Sequence, residues 1–208
     1  RLENYDARLE VFPSPSEVLA AGCFYKRLHG AIEQVVKGAA EPVLQPRNSD
    51  SGYDCGVELE ARAALGRLWR GLDRFWCAGN ASFIRSEVRV SELSQNGSER
   101  HPLQGQADYL VNGALNFASP GGRVEASALV SATGKRLRAL AFLPLPDIYE
   151  HPSTSLDATV TWAPARSARV KLAARNLLDP AIRSLQGGRE VSSCHRGRSF
   201  SLGLSWGS

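Results

Sequence analysis

Four tight connections alternate with four long ones along the chain, and that alternation constrains its fold more than any local motif. The short ones are Pro13-Ser14-Pro15-Ser16-Glu17, the stretch from Gly66 to Leu72, Ala118-Ser119-Pro120-Gly121-Gly122 and Pro164-Ala165-Arg166-Ser167. The long ones run from Leu28 to Gly52, Ser91 to Gln104, Gly134 to Pro152 and Asp179 to His195. A soluble sandwich has no need to keep every second connection short. A bacterial outer-membrane barrel does, because its periplasmic turns are tight and its extracellular loops are long. The spacing predicts an all-β fold, an antiparallel up-and-down transmembrane β-barrel segment of about nine strands. Single-chain bacterial barrels have even strand numbers, so this set is expected to form an incomplete barrel with two open edges.

The segments between the connections alternate apolar and polar. In Arg198 to Trp206, the residues Phe200, Leu202, Leu204 and Trp206 share one face, and Ser199, Ser201, Gly203 and Ser205 share the other. Successive side chains of a strand point to opposite sides, so this is a two-faced sheet element. Val170, Leu172 and Ala174 alternate with Arg169, Lys171 and Arg175, and Leu156, Ala158, Val160 and Trp162 with Asp157, Thr159 and Thr161. Tyr109, Val111, Leu115 and Phe117 do the same with Asn112, Ala114 and Asn116. So do Cys55, Val57, Leu59 and Ala61 with Asp54, Glu58, Glu60 and Arg62, and Tyr5, Leu9 and Val11 with Asp6, Arg8 and Glu10. A polar lumen tolerates these charges, whereas hydrocarbon costs about 2–4 kcal/mol for a midplane Arg or Lys. Phe200, Leu202, Leu204 and Trp206 are thus expected to face the membrane, with Trp206 in an interfacial aromatic belt. Two stretches are less decided. Leu65, Leu68, Trp69, Leu72, Phe75 and Trp76 also fit a helical face, and from Val18 to Tyr25 both parities are apolar or small.

The chain has 208 residues and a formal charge of +4. Nothing approaches the ~18 continuous apolar residues of a spanning helix. Basic residues are interspersed with acids, so nucleic acid is not an expected partner. Cys23 and Cys77 are placed near periplasmic strand ends, Cys55 and Cys194 near outer ends, and all four are expected to be unpaired. His29, His101, His151 and His195 fall in loops without an acid and nucleophile at a recognisable spacing. No G-x-S-x-G elbow is present. Neither an enzyme nor a cofactor is expected. The sequence begins at Arg1 and contains no Met. It is expected to be a piece of something longer. The alternative fold and function, a soluble β-sandwich used for binding or adhesion, would need no detergent.

Several motifs, in chain order, resemble the carboxy-terminal part of the barrel of TonB-dependent outer-membrane receptors. They are Glu3-Asn4-Tyr5-Asp6 leading to Pro13; Cys23-Phe24-Tyr25-Lys26 followed by Ile32-Glu33-Gln34; Gly56-Val57-Glu58-Leu59-Glu60; Pro102-Leu103-Gln104-Gly105-Gln106; Asn176-Leu177-Leu178-Asp179; and the terminal strand. Residues 1–208 would then be the C-terminal part of the receptor β-barrel, without the plug domain. The resemblance implies import of a scarce nutrient, such as a ferric siderophore or a cobalamin. It also implies as partners outer-membrane lipid and lipopolysaccharide, the rest of the barrel and the plug, and the TonB complex acting through the plug. The family usually ends on an aromatic residue, whereas this chain ends Trp206-Gly207-Ser208. No ligand-contacting set is defined by the motifs. The outer-loop residues available for capture are Arg47, Asn48, Arg136, Arg138, Tyr149, Arg183, Arg189, His195 and Arg196, and a basic rim would steer an anionic chelate. The bland alternative is solvated loop charge, or, for Arg196 and Arg198, contact with lipopolysaccharide phosphates.

Overall fold

The structure, a computed structural model, describes residues 1–37, 43–91, 99–141 and 144–207. Nine long or moderately long strands follow one another edge to edge: β1 (Leu2–Val11), β2 (Val18–Leu28), β5 (Ser51–Ala64), β6 (Phe75–Arg89), β8 (Tyr109–Ala118), β9 (Val124–Thr133), β12 (Ser153–Ala165), β13 (Ala168–Arg175) and β16 (Ser199–Trp206). Every pairing along that path is antiparallel. The two-residue β7 (Arg100–His101) adds to β6. β1 and β16 end the path with open edges among the described residues. Extensive strand-to-strand contact occurs only between hydrogen-bonded neighbours. A sandwich would instead bring two sheets face to face about 10 Å apart. The sandwich alternative is therefore not the fold.

Register fixes the faces, because residues directly opposite in adjacent strands share a side. One row reads Leu9, Ala21, Leu59, Ala81, Val111, Ala132, and another reads Phe75, Phe117, Ala126, Val160, Leu172, Leu202. The neighbouring rows belong to the opposite face: Glu10, Ala20, Glu60, Asn80, Asn112, Ser131, Ser155, and Trp76, Asn116, Ser127, Thr159, Ala173, Ser201. This assigns the undecided β2, with Leu19, Ala21, Cys23 and Tyr25 joining the apolar face. On the polar face Arg8 bonds Glu60 at 2.7 Å and Glu10 at 2.6 Å, and Asn112 donates to Asn80 at 3.0 Å. Phe24 also lies on that face, opposite Gly56, where a Cβ would come within 2.9 Å of its ring. The glycine gives the ring room to lie against the strand.

Aromatics cluster at both ends of the apolar face. Tyr5, Tyr25, Tyr53 and Tyr109 lie toward the long connections, with Tyr25 and Tyr53 stacked at 6.4 Å. Phe75, Phe117, Trp162 and Trp206 lie toward the short turns, with the two phenylalanines 5.0 Å apart. Phe24 and Trp76 are the exceptions, on the polar face.

The short turns hold by local chemistry. Arg166 and Ser167 alone join β12 to β13, tighter than the four-residue turn expected, because β12 continues through Pro164 after a register shift. Ser119 closes the β8–β9 turn, its hydroxyl accepting from the Val124 amide at 2.8 Å. Leu65–Arg67 and Arg70–Leu72 form two 3-10 turns between β5 and β6, so the helical alternative there is not realised. The Glu17 carboxylate accepts from the Ala64 amide at 3.2 Å and pairs with Arg67 at 3.3 Å, tying this turn to the one before β2. The amide and the Ser14 hydroxyl hold that carboxyl below its ordinary range. All four cysteines are free. Cys23 corrects the expectation of a strand-end position: it sits mid-strand opposite Val57, because β2 extends to Leu28.

Candidate functional site: the mouth built by the long connections

The long connections contain structure of their own. β3 (Ile32–Lys37) and β4 (Val43–Asn48) form a hairpin between β2 and β5. β10 (Arg136–Ala139) and β11 (Ile148–Glu150) come from the third long connection, β14 (Ile182–Gln186) and β15 (Arg189–Cys194) from the fourth. These last four join into one antiparallel sheet in the order β10-β11-β14-β15. Gly187 and Gly188 close its final hairpin with φ of 57° and 83°, the left-handed pair that a two-residue turn of this hand requires.

The mouth also contains a cluster of buried apolar side chains. Val90, Leu137 and Leu140 are buried together, with Tyr149 packed against them. Burial raises the Tyr149 phenol, and the Lys135 ammonium stands 4.0 Å over its ring. By contrast Phe200, Leu202, Leu204 and Trp206 are 63–83% exposed. This buried cluster lies at the mouth, while the strands keep most of their large apolar side chains on an open face.

Two motifs far apart in sequence meet here. The Gln34 amide donates to Gln104 Oε1 at 2.8 Å, and Gln104 Nε2 donates to the Gln34 carbonyl at 2.9 Å. Beside them the Glu33 carboxylate lies 4.0 Å from His101 Nδ1, both side chains 1% exposed. Burial pushes Glu33 up to about 7, against the opposing pull of the Gln104 contact. His101 Nδ1 is 2.9 Å from the Pro102 carbonyl, which can only accept, so that nitrogen carries a proton. No spacing rule links Glu33 and His101 in sequence, since 68 positions separate them.

The expected capture residues divide. Arg136 pairs with Glu150 at 2.7 Å, and Arg138 donates to Ser184 and Ser192 at 2.6 and 2.8 Å, knitting the third and fourth connections together. Arg183 pairs with Glu190 at 3.7 Å, and Arg47 reaches Gln45 at 3.4 Å. Asn48 lies opposite Ile32 at the base of the first hairpin, while Arg189 begins β15 and is exposed. Arg136 and Tyr149 line a cavity of about 400 Å3 against β6 and the β7 segment. Arg136 and Arg196 line a second, of about 190 Å3. His195 and Arg198 instead serve the turn after β13. Asn176 and Asp179 both have left-handed backbones, with φ of 56° and 45°. Asn176 Nδ2 donates to the Gly197 carbonyl at 2.7 Å, and its amide donates to Asp157 at 2.8 Å. His195 Nδ1 lies 2.9 Å from the Asp179 carbonyl, and Arg198 Nε donates to the Leu177 carbonyl at 2.8 Å. The Asn176-Leu177-Leu178-Asp179 motif is therefore a clamp across β12, β13 and β16. Among the described residues no group of three metal-ligating side chains assembles.

Among solved structures, the chain is similar to the FrpB iron transporter from Neisseria meningitidis (F3-3 variant), with a TM-score of 0.67 and 13% identity over 99% of this chain and 31% of that one. It is similar to the ferric yersiniabactin uptake receptor FyuA from Yersinia pestis, at 0.63 and 18% over 98% and 29%. It is also similar to the copper transporter OprC, at 0.70 and 12% over 99% and 31%. All three are TonB-dependent receptors. The fold is that of a TonB-dependent receptor barrel segment. The chain spans about 31% of the length of the FrpB transporter. No family model and no curated protein matches the sequence.

Proposed function

We propose that the chain forms part of the barrel of an outer-membrane receptor that imports a scarce nutrient, such as a ferric siderophore or a cobalamin, in the intact protein. The observation that carries this reading is the division of one single-layered sheet into an apolar face edged by aromatics and a polar face holding Arg8, Glu10, Glu58 and Glu60. In a membrane the first face meets lipid, including Phe200, Leu202, Leu204 and Trp206, and the second lines the lumen. Tight turns then lie in the periplasm and the packed mouth faces the outside, where ligand arrives. Lipid and lipopolysaccharide surround the wall. The open edges of β1 and β16 receive the rest of the barrel, whose plug connects to TonB. The iron, ferric yersiniabactin and copper named for similar structures support a metal-bearing cargo without selecting one.

The test uses the native full-length protein. Cells carrying it should fractionate it with the outer membrane and accumulate a ferric chelate or cobalamin in a TonB-dependent way. Recovery of the protein in the soluble fraction would refute the reading.

A further inference from the structure

Where the main sheet meets the four-stranded cap, Ser131 and Thr133 of β9 stand directly opposite Ser155 and Ser153 of β12. All four line the cavity of about 190 Å3, so their hydroxyls form a two-by-two patch, roughly 5 Å across the strands and about 7 Å along them. Arg136, Glu150 and Arg196 close the cavity from the cap side. Among the described residues none of the four hydroxyls makes a side-chain hydrogen bond, and Arg196 has no acidic partner. Arg136 and Glu150 neutralise one another at 2.7 Å, which leaves the cavity with one uncompensated positive charge, that of Arg196.

Resting on the receptor reading, we infer that this cavity is a subsite for a compact hydroxycarboxylate group carried by the imported ligand. A guanidinium fork matches a carboxylate with two parallel hydrogen bonds. The hydroxyl patch both donates and accepts, so it suits a ligand that presents hydroxyls as well as oxyanions. The volume equals that of about six waters at roughly 30 Å3 each, enough for one small acid and too little for a whole chelate. Phosphate shares the oxyanion chemistry and carries hydroxyls of its own, but one tetrahedral anion would cover only part of a patch roughly 5 by 7 Å. The extent of the patch therefore favours the hydroxycarboxylate.

Calorimetric titration of the native full-length protein in detergent tests this, with citrate as the probe. Saturable citrate binding is expected, weakened roughly tenfold by Arg196→Gln and partly restored by Arg196→Lys. Tricarballylate, which keeps the three carboxylates but lacks the hydroxyl, should bind several-fold more weakly, and that gap should close in the Ser131→Ala, Ser155→Ala double variant. Heat-modifiable gel mobility reports that each variant remains folded. Absent citrate binding, or binding indifferent to Arg196→Gln, overturns the proposal. Inorganic phosphate binding as tightly as citrate also overturns it, assigning the site to an oxyanion alone. If citrate fails while the protein still resides in the outer membrane, only this subsite falls and the receptor reading stands.

Discussion

Leu202→Arg and Ser201→Arg place the same charge on adjacent residues of β16, one on each face. Leu202 lies in the row with Leu172, Val160 and Phe117, and Ser201 in the row with Ala173, Thr159 and Asn116. Leu202 is four residues from Trp206, about 14 Å along the strand, or about 10 Å along the normal at a tilt near 40°. Measured from an interfacial Trp206, that is close to the middle of an apolar band about 25 Å tall. Leucine is 63% exposed there, so little protein packing is lost, and the lipid cost of the guanidinium dominates. The expected penalty for Leu202→Arg is about 2–4 kcal/mol, against less than about 1 kcal/mol for Ser201→Arg in a hydrated lumen. Urea-dependent folding of the full-length protein into lipid vesicles, followed by tryptophan fluorescence, measures both. Equal penalties would refute the assignment of faces.

Two further outcomes follow from single contacts. Glu33 is raised from 4.5 to about 7 by burial, so the packed first hairpin disfavours its charged form. Its contribution is intact below pH 4.5 and is lost as pH rises toward 7. At ~1.36 kcal/mol per pH unit that loss is at most about 3 kcal/mol. Hydrogen exchange at the Gln34 amide, corrected for intrinsic rate, should therefore be faster at about pH 8 than at about pH 5, and Glu33→Gln should remove the difference. A pH-independent wild type would refute this. A Cβ at position 56 would lie 2.5 Å from the Phe83 carbonyl, whereas one at position 113 meets nothing within 4 Å. Gly56→Ala should cost about 1–3 kcal/mol in denaturant titration and Gly113→Ala far less, and equal costs would contradict the close approach.

The strands were legible because a face held at one polarity leaves a period of two in the sequence, as Phe200 to Trp206 and Val170 to Ala174 do. Their turns were legible because Pro13, Gly121 and Gly122 punctuate them. β2 was not, since Val18, Ala20 and Leu19, Ala21 are apolar or small on both parities, and only the pairing with β5 separates them. The mouth was least legible. Its elements are short, and β10-β11 and β14-β15 gain their stability from one another across 46 residues, as in the Arg138–Ser184 bond. Gln34 and Gln104 sit in separate motifs, and nothing in either one announces that they bind each other. The cavity hydroxyls were hidden in another way, because a serine on a polar strand face is ordinary until the register sets it opposite another.

Orientation tests the central claim most directly. A short epitope inserted at Gly187, in the hairpin turn of the cap, should be labelled by antibody on intact cells expressing the full-length protein. The same epitope at Gly121, in the β8–β9 turn, should be labelled only after the outer membrane is permeabilised. A further insertion expected at the outside, near Asn96, lies outside the described residues. Labelling of Gly121 on intact cells, or none at Gly187, would contradict a barrel wall whose tight turns face the periplasm.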